Sequence, residues 1–136
     1  MSIDPKQTSV GQKLPDLSIP ISAGAIVAGA IATNDFENVH HDKAAAEATG
    51  VPDIFMNILT SNGFVQRYVT DWAGPKARVN GVDIKLGAPN FAGDTMEMSG
   101  EVVRVEGREV DVSVSGRNTI GEHVGATVML DFGDAK

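Results

Sequence analysis

The C-terminal half of the chain alternates. Val110, Val112 and Val114 fall on one face of a strand and Asp111, Ser113 and Ser115 on the other, the period of two that marks a half-buried strand. Val124, Ala126, Val128, Leu130 and Phe132 repeat the pattern. Ahead of them lie two more strand-like stretches, Ala77 to Leu86 and Thr95 to Val105, joined by the turn-rich run Gly87-Ala88-Pro89-Asn90-Phe91-Ala92-Gly93-Asp94. Glu106-Gly107 and Gly121-Glu122 supply tight turns, so the last three strands form an antiparallel meander with one covered face.

The N-terminal half follows other rules. Ile54, Ile58, Val65, Val69 and Trp72, with Phe55 and Leu59, form a stripe near helical period. Pro52-Asp53 can open this long helix and Gly74-Pro75 stops it. Leu59 and Trp72 are expected to be buried in the core or in an interface. A shorter helix is predicted between Asp42 and Gly50 over four alanines. Ala23 to Thr33 is uncharged and rich in Ala, Ile and Val. It reads as a strand buried on both faces, although periodicity alone also permits a buried helix. Leu14 to Ile21 carries Pro15 and Pro20, which confine any strand there to a sheet edge. Residues 1–13 are polar and aperiodic, a flexible N-terminal arm before a single domain at 14–136.

One long helix followed by four strands predicts an α+β fold in which an antiparallel sheet wraps around a central helix, the hot-dog arrangement. A generic α+β sandwich is the rival. A lone hot-dog sheet leaves an edge unpaired, so pairing into a hot-dog dimer is expected.

Charge and composition narrow the function. The chain has 136 residues, a formal net charge of −7 and a pI near 4.8. Such a surface repels nucleic acid and anionic membranes alike. The hydrophobic run Ile19 to Thr33 is shorter than the roughly 20 residues of a membrane helix and is broken by Pro20, Gly24 and Gly29. There is no cysteine, which removes disulfides and thiolate chemistry and fits a cytoplasmic chain.

The chemistry concentrates in Asp35-Phe36-Glu37-Asn38-Val39-His40, followed by His41-Asp42. Asp35 and His40 can serve as an acid/base pair that holds a water. They can equally be a helix cap and a surface histidine. A metal site from Asp35, His40, His41 and Asp42 lacks a later cluster to complete its shell, and His123 stands alone in a turn. Gly93-Asp94 reads as a strand-entry turn. Lys76, Arg78, Lys85, Arg104, Arg108 and Arg117 are a solvated surface or contacts for an anionic group.

The stretch from Asp35 to His40, followed by Ala44 to Ala48 and Gly50, resembles the signature of MaoC-like, (R)-specific enoyl-CoA hydratases. Phe91-Ala92-Gly93-Asp94-Thr95 is similar to that family's turn into its second long strand, and the likeness covers nearly the whole chain after Lys13. Asn34 stands where the family usually has Gly, Val39 where it has Pro, and Met56-Asn57 where it commonly has His-Gly. Within the family, residues 53–60, 66–75 and 116–124 resemble the small MaoC subunit of actinobacterial steroid side-chain hydratases.

The resemblance implies hydration of a trans-2-enoyl-CoA, here a steroid enoyl-CoA, to the (3R)-hydroxyacyl-CoA. Asp35 and His40 would be catalytic, with their roles as acid and base left open. Asn38 would orient the loop or the water, and the Asn57 backbone amide would receive charge from the thioester oxygen. It implies no metal and no cofactor beyond the CoA handle of the substrate. The partner would be a second MaoC-like subunit in a heterotetramer, or another copy of this chain. The alternatives are a non-catalytic hot-dog subunit that shapes a partner's acyl tunnel and a hot-dog acyl-CoA thioesterase.

Overall fold

A computed structural model describes residues 2–133; Met1 and residues 134–136, the outer ends of the expected arm and domain, lie outside them. The elements run β1 (Leu17–Pro20), α1 (Ala23–Ala32), α2 (Lys43–Ala48), α3 (Ile58–Ala73), β2 (Arg78–Leu86), β3 (Thr95–Glu106), β4 (Glu109–Arg117) and β5 (Glu122–Asp131). The five strands form one antiparallel sheet in the order β1-β3-β4-β5-β2. The meander β3-β4-β5 sits at its centre and the proline-bearing β1 at one edge, as the sequence predicts.

The alternating valines of β4 and β5 face inward. Val110, Val112, Val124 and Val128 are fully buried, and Val65 and Val69 of α3 are buried in the same core. A helix whose apolar stripe is buried in the hollow of an antiparallel sheet is the hot-dog fold. Among the described residues no helix is long and apolar enough to cross a membrane.

Three expectations change. Ala23–Ala32 is a helix and not a buried strand. Ser22 caps it, its Oγ accepting the Ala25 N–H at 3.0 Å. Ile26 and Ala30, one turn apart, are its buried residues. A run apolar on every side hides its period, and the alanines then favour helix.

The long helix begins at Ile58 and not at Pro52-Asp53. Residues 54–56 are taken by other partners: the Met56 N–H donates to Asn90 C=O (3.0 Å) and Phe55 bridges to Phe91. The buried face of α3 is therefore Ser61, Val65, Tyr68, Val69 and Ala73. Leu59, expected in the core or an interface, is outside the core of the chain and 48% exposed, while Trp72 is half-buried against the core.

The N-terminal residues are laid along the fold where a loose arm was expected. β3 outruns the short β1, and its spare backbone groups need partners. Gly11 N–H donates to Val102 C=O (2.8 Å), Val102 N–H to Gln12 C=O (2.9 Å), and Ile3 N–H to Ala73 C=O (3.0 Å).

Candidate active site

Asp35 is placed by the way α1 ends. Asn34 N–H donates to Ile31 C=O (3.1 Å) and Asp35 N–H to Ala30 C=O (2.9 Å), the paired bonds of a Schellman stop. That stop needs a left-handed residue, and Asn34 supplies it at φ 60°. Asparagine tolerates this region better than most side chains.

His40 closes a 3₁₀ turn at Asn38–His40 and is 8% exposed. Its Nδ1 lies 2.7 Å from the Phe55 carbonyl oxygen. A carbonyl only accepts, so Nδ1 carries the hydrogen and Nε2 is the nitrogen left to exchange a proton. Nε2 faces Asp35 Oδ2 at 3.5 Å. The Phe55 ring meets the imidazole edge-on, with centroids 5.1 Å apart.

The third member is Asn57, whose side chain the sequence left unassigned. It is the N-cap of α3, its Oδ1 accepting the Thr60 N–H at 3.2 Å. Its Nδ2 donates to Asp35 Oδ2 (3.0 Å) and to Thr33 Oγ1 (2.8 Å). That amide holds the Asp35 carboxyl below the usual carboxylate range; the Glu37 N–H and the facing His40 act the same way and partial burial opposes them. An ionised carboxylate and an imidazole nitrogen 3.5 Å apart can both accept from one water.

The remaining candidates separate from this pair. The Asn38 carbonyl accepts the N–H groups of His41 and Asp42, and its side chain is exposed. His41 Nε2 bonds to Phe36 C=O (3.3 Å), and Asp42 caps α2. Asp94 accepts from the Thr119 hydroxyl (2.8 Å), which ties the strand-entry turn to the β4–β5 hairpin. Arg104 pairs with Glu106, Glu109 and Asp111, and Arg108 with Asp131. Lys76, Arg78, Lys85 and Arg117 are exposed. His123 is not in a turn but buried on β5.

The α1–α3 crossing keeps Asn57 in place. A Cβ on Gly29 would stand 2.3 Å from Thr60 Oγ1, 2.9 Å from its Cγ2 and 3.2 Å from its Cβ. Rotating Thr60 exchanges one clash for another, so the helices would have to part. Thr60 also donates its hydroxyl to Asn57 Oδ1. Gly29→Ala is expected to destabilise by about 1–3 kcal/mol, as overpacking does. It should also raise the Asp35 pKa by loosening Asn57. Denaturant melts and a carboxyl titration check the two effects.

Four large apolar side chains close in sequence to the site residues are open: Ile31 (61% exposed), Phe36 (62%), Ile58 (47%) and Leu59 (48%). They lie in the last turn of α1, beside Asp35, and in the first turn of α3.

Known proteins share this fold. The profile of MaoC-like domains matches residues 5–124. The chain is 51% identical, over 94% of its length and 99% of the relative's, to the 3-oxo-4,17-pregnadiene-20-carboxyl-CoA hydratase beta subunit of Mycobacterium tuberculosis. It superposes with a TM-score of 0.90 and 51% identity on a chain of the ChsH1-ChsH2 complex from the same organism, covering 92% of this chain and 98% of that one. The unliganded R-hydratase PhaJ1 from Pseudomonas aeruginosa matches at a TM-score of 0.87 and 20% identity, over 96% and 85% of the two chains, a likeness of fold.

Proposed function

The chain belongs to the family of MaoC-like domains, and from that membership we propose that it is a catalytic subunit of a heteromeric enoyl-CoA hydratase. The observation that carries the catalytic part is the Asp35–His40 pair, with its mobile proton directed to Nε2 by the Phe55 carbonyl. A subunit that merely shaped a partner's tunnel would have no use for an oriented imidazole facing an ionised carboxylate.

The reaction adds water across the Cα=Cβ bond of a trans-2-enoyl thioester. Asp35 and His40 hold the water. Its oxygen bonds to Cβ as one of its protons passes to the pair. The π electrons shift toward the thioester carbonyl, and the pair returns a proton to Cα on the same face. The product is the (3R)-hydroxyacyl-CoA. Asp35 and His40 act as one coupled unit in which Nε2 is the proton-carrying atom.

Charge on the thioester oxygen needs donors. The Asn57 N–H has no backbone acceptor among the described residues and sits at the positive end of the 16-residue helix α3. Asn38 acts through its backbone, its carbonyl accepting the His41 and Asp42 N–H groups and so ordering the loop that carries His40.

The acyl group we propose is a steroid side chain, because the relative that is 51% identical is a pregnadiene-carboxyl-CoA hydratase subunit. The partner is a second MaoC-like subunit, since the matching chain comes from a two-component complex. Ile31, Phe36, Ile58 and Leu59 give that partner and the acyl group an apolar corner beside the pair. The purified chain is assayed alone and mixed with such a subunit, and the mixture should consume the enoyl-thioester absorbance without releasing thiol. Thiol release would mean a thioesterase, and a mixture unaffected by loss of Asp35 would mean a non-catalytic subunit.

Asn57→Ser separates the cap of α3 from its grip on Asp35. Serine still accepts the Thr60 N–H but cannot reach the carboxylate with a donor. The Asp35 pKa should rise. Because a depressed carboxylate keeps its charge down to lower pH, the variant should lose activity at a higher pH on the acid limb, with melting nearly unchanged. A pH–kcat profile reads this directly.

A further inference from the structure

One buried polar pair lies outside the mechanism. His123 is 2% exposed and Ser61 fully buried. His123 Nδ1 is 2.6 Å from the Ala88 carbonyl oxygen and therefore carries its hydrogen. Nε2 then accepts the Ser61 hydroxyl at 2.7 Å. Burial pushes the imidazole pKa down, against the Ala88 bond, so the ring is neutral and this polarity of bonds holds.

Such a pair adds little net stability over an apolar filling of the same shape, because its groups were hydrogen-bonded to water before folding. It differs from an apolar filling in direction. Ser61 belongs to the first turn of α3, and its N–H donates to Asn57 C=O at 3.2 Å. His123 thus clamps the turn that presents Asn57 to β5 and to Ala88.

The same connection, residues 87–90, holds the other half of the site. Asn118 Nδ2 donates to Pro89 C=O (2.9 Å) and to Asn90 Oδ1 (2.8 Å). Asn90 C=O accepts the Met56 N–H (3.0 Å), one residue beyond Phe55. Phe55 orients His40, and Asn57 orients Asp35. Both members of the pair are referenced to one buried polar frame.

We propose that Ser61 and His123 are positioning residues, which set the Asp35–His40 geometry by fixing the first turn of α3 to β5 and the 87–90 connection. The proposal rests on the hydratase reading for its kinetic consequence, but its structural consequence can be measured without turnover.

The experiment uses the full chain with its MaoC-like partner and the variants Ser61→Ala, His123→Asn and His123→Gln. Asparagine can keep the bond to Ala88 and loses the one to Ser61; glutamine can still accept the Ser61 proton. The Asp35 carboxyl is titrated by carbon-13 NMR, with Asp131 at the far end of β5 as the control. Ser61→Ala and His123→Asn should raise the Asp35 pKa, leave Asp131 unmoved, and lower kcat about 10- to 100-fold, as a small misplacement does, with KM little changed. His123→Gln should recover part of both losses. An Asp35 titration that stays at its wild-type position in Ser61→Ala and His123→Asn overturns the proposal. So does an equal shift at Asp131, which would mean general loosening. Should the wild-type complex fail to hydrate an enoyl-CoA, the hydratase reading falls and the titrations still decide the positioning role.

Discussion

Asp35→Asn and His40→Ala are each expected to lower the rate of hydration by about 10²–10⁴, the usual worth of a placed proton donor or acceptor. The two variants fail differently. An asparagine at position 35 can still accept from Asn57, so the loop keeps its shape while the negative charge facing Nε2 is lost. Removing the imidazole leaves the Phe55 carbonyl without its donor and deletes the atom that carries the proton. Because the two groups work as one unit, the double variant should be little worse than either single one. Single-turnover rates beside thermal melts would show it. Near-normal turnover in either variant with unchanged melting would remove that residue from the mechanism.

The second large effect concerns stability. Ile26→Ala should destabilise the chain by about 2–5 kcal/mol, since Ile26 is fully buried in the core. Leu59→Ala should cost far less in the isolated chain, because that side chain is already 48% exposed. In the assembled complex the order of importance changes. Leu59 stands beside Asn57 in the apolar corner that we assign to the partner and the acyl group, so its loss should weaken association or substrate binding. Urea melts of the isolated chain and titration with the partner separate the two readouts. A Leu59→Ala chain as destabilised as Ile26→Ala would contradict the packing of α3.

The strands were legible because one face of each is covered and period-2 alternation is local. β4 is the clearest case, with Val110, Val112 and Val114 buried in turn. α1 was not legible, because Ile26 and Ala30 are embedded in a run that is apolar all round and shows no face. The start of α3 was misplaced for a different reason. Phe55 and Met56 continue the apolar stripe, yet they pair with Phe91 and Asn90 some 34 to 36 residues later, and no local pattern carries that information. The N-cap role of Asn57, and with it the hold on Asp35, was lost along with that boundary.

The same limit applies to His123. In sequence it is one histidine next to a glycine turn; only the sheet brings it to Ser61, 62 residues away. For Asp35 and His40, spacing alone left a cap and a surface histidine as open readings. The family resemblance singled them out, and the Schellman stop of α1 with the Phe55 carbonyl supplies the physical reason they face each other.

The most direct test is a crystal structure of the inactive Asp35→Asn chain with its MaoC-like partner and a bound trans-2-enoyl-CoA. The acyl chain should enter the corner formed by Ile31, Phe36, Ile58 and Leu59. A water should lie between residue 35 and His40 Nε2, about 3–3.5 Å from Cβ, the separation of a reactive approach. The thioester oxygen should point to the Asn57 N–H. A thioester bound with Cβ far from His40, or seated in a site made wholly by the partner, would contradict the assignment of catalysis to this chain.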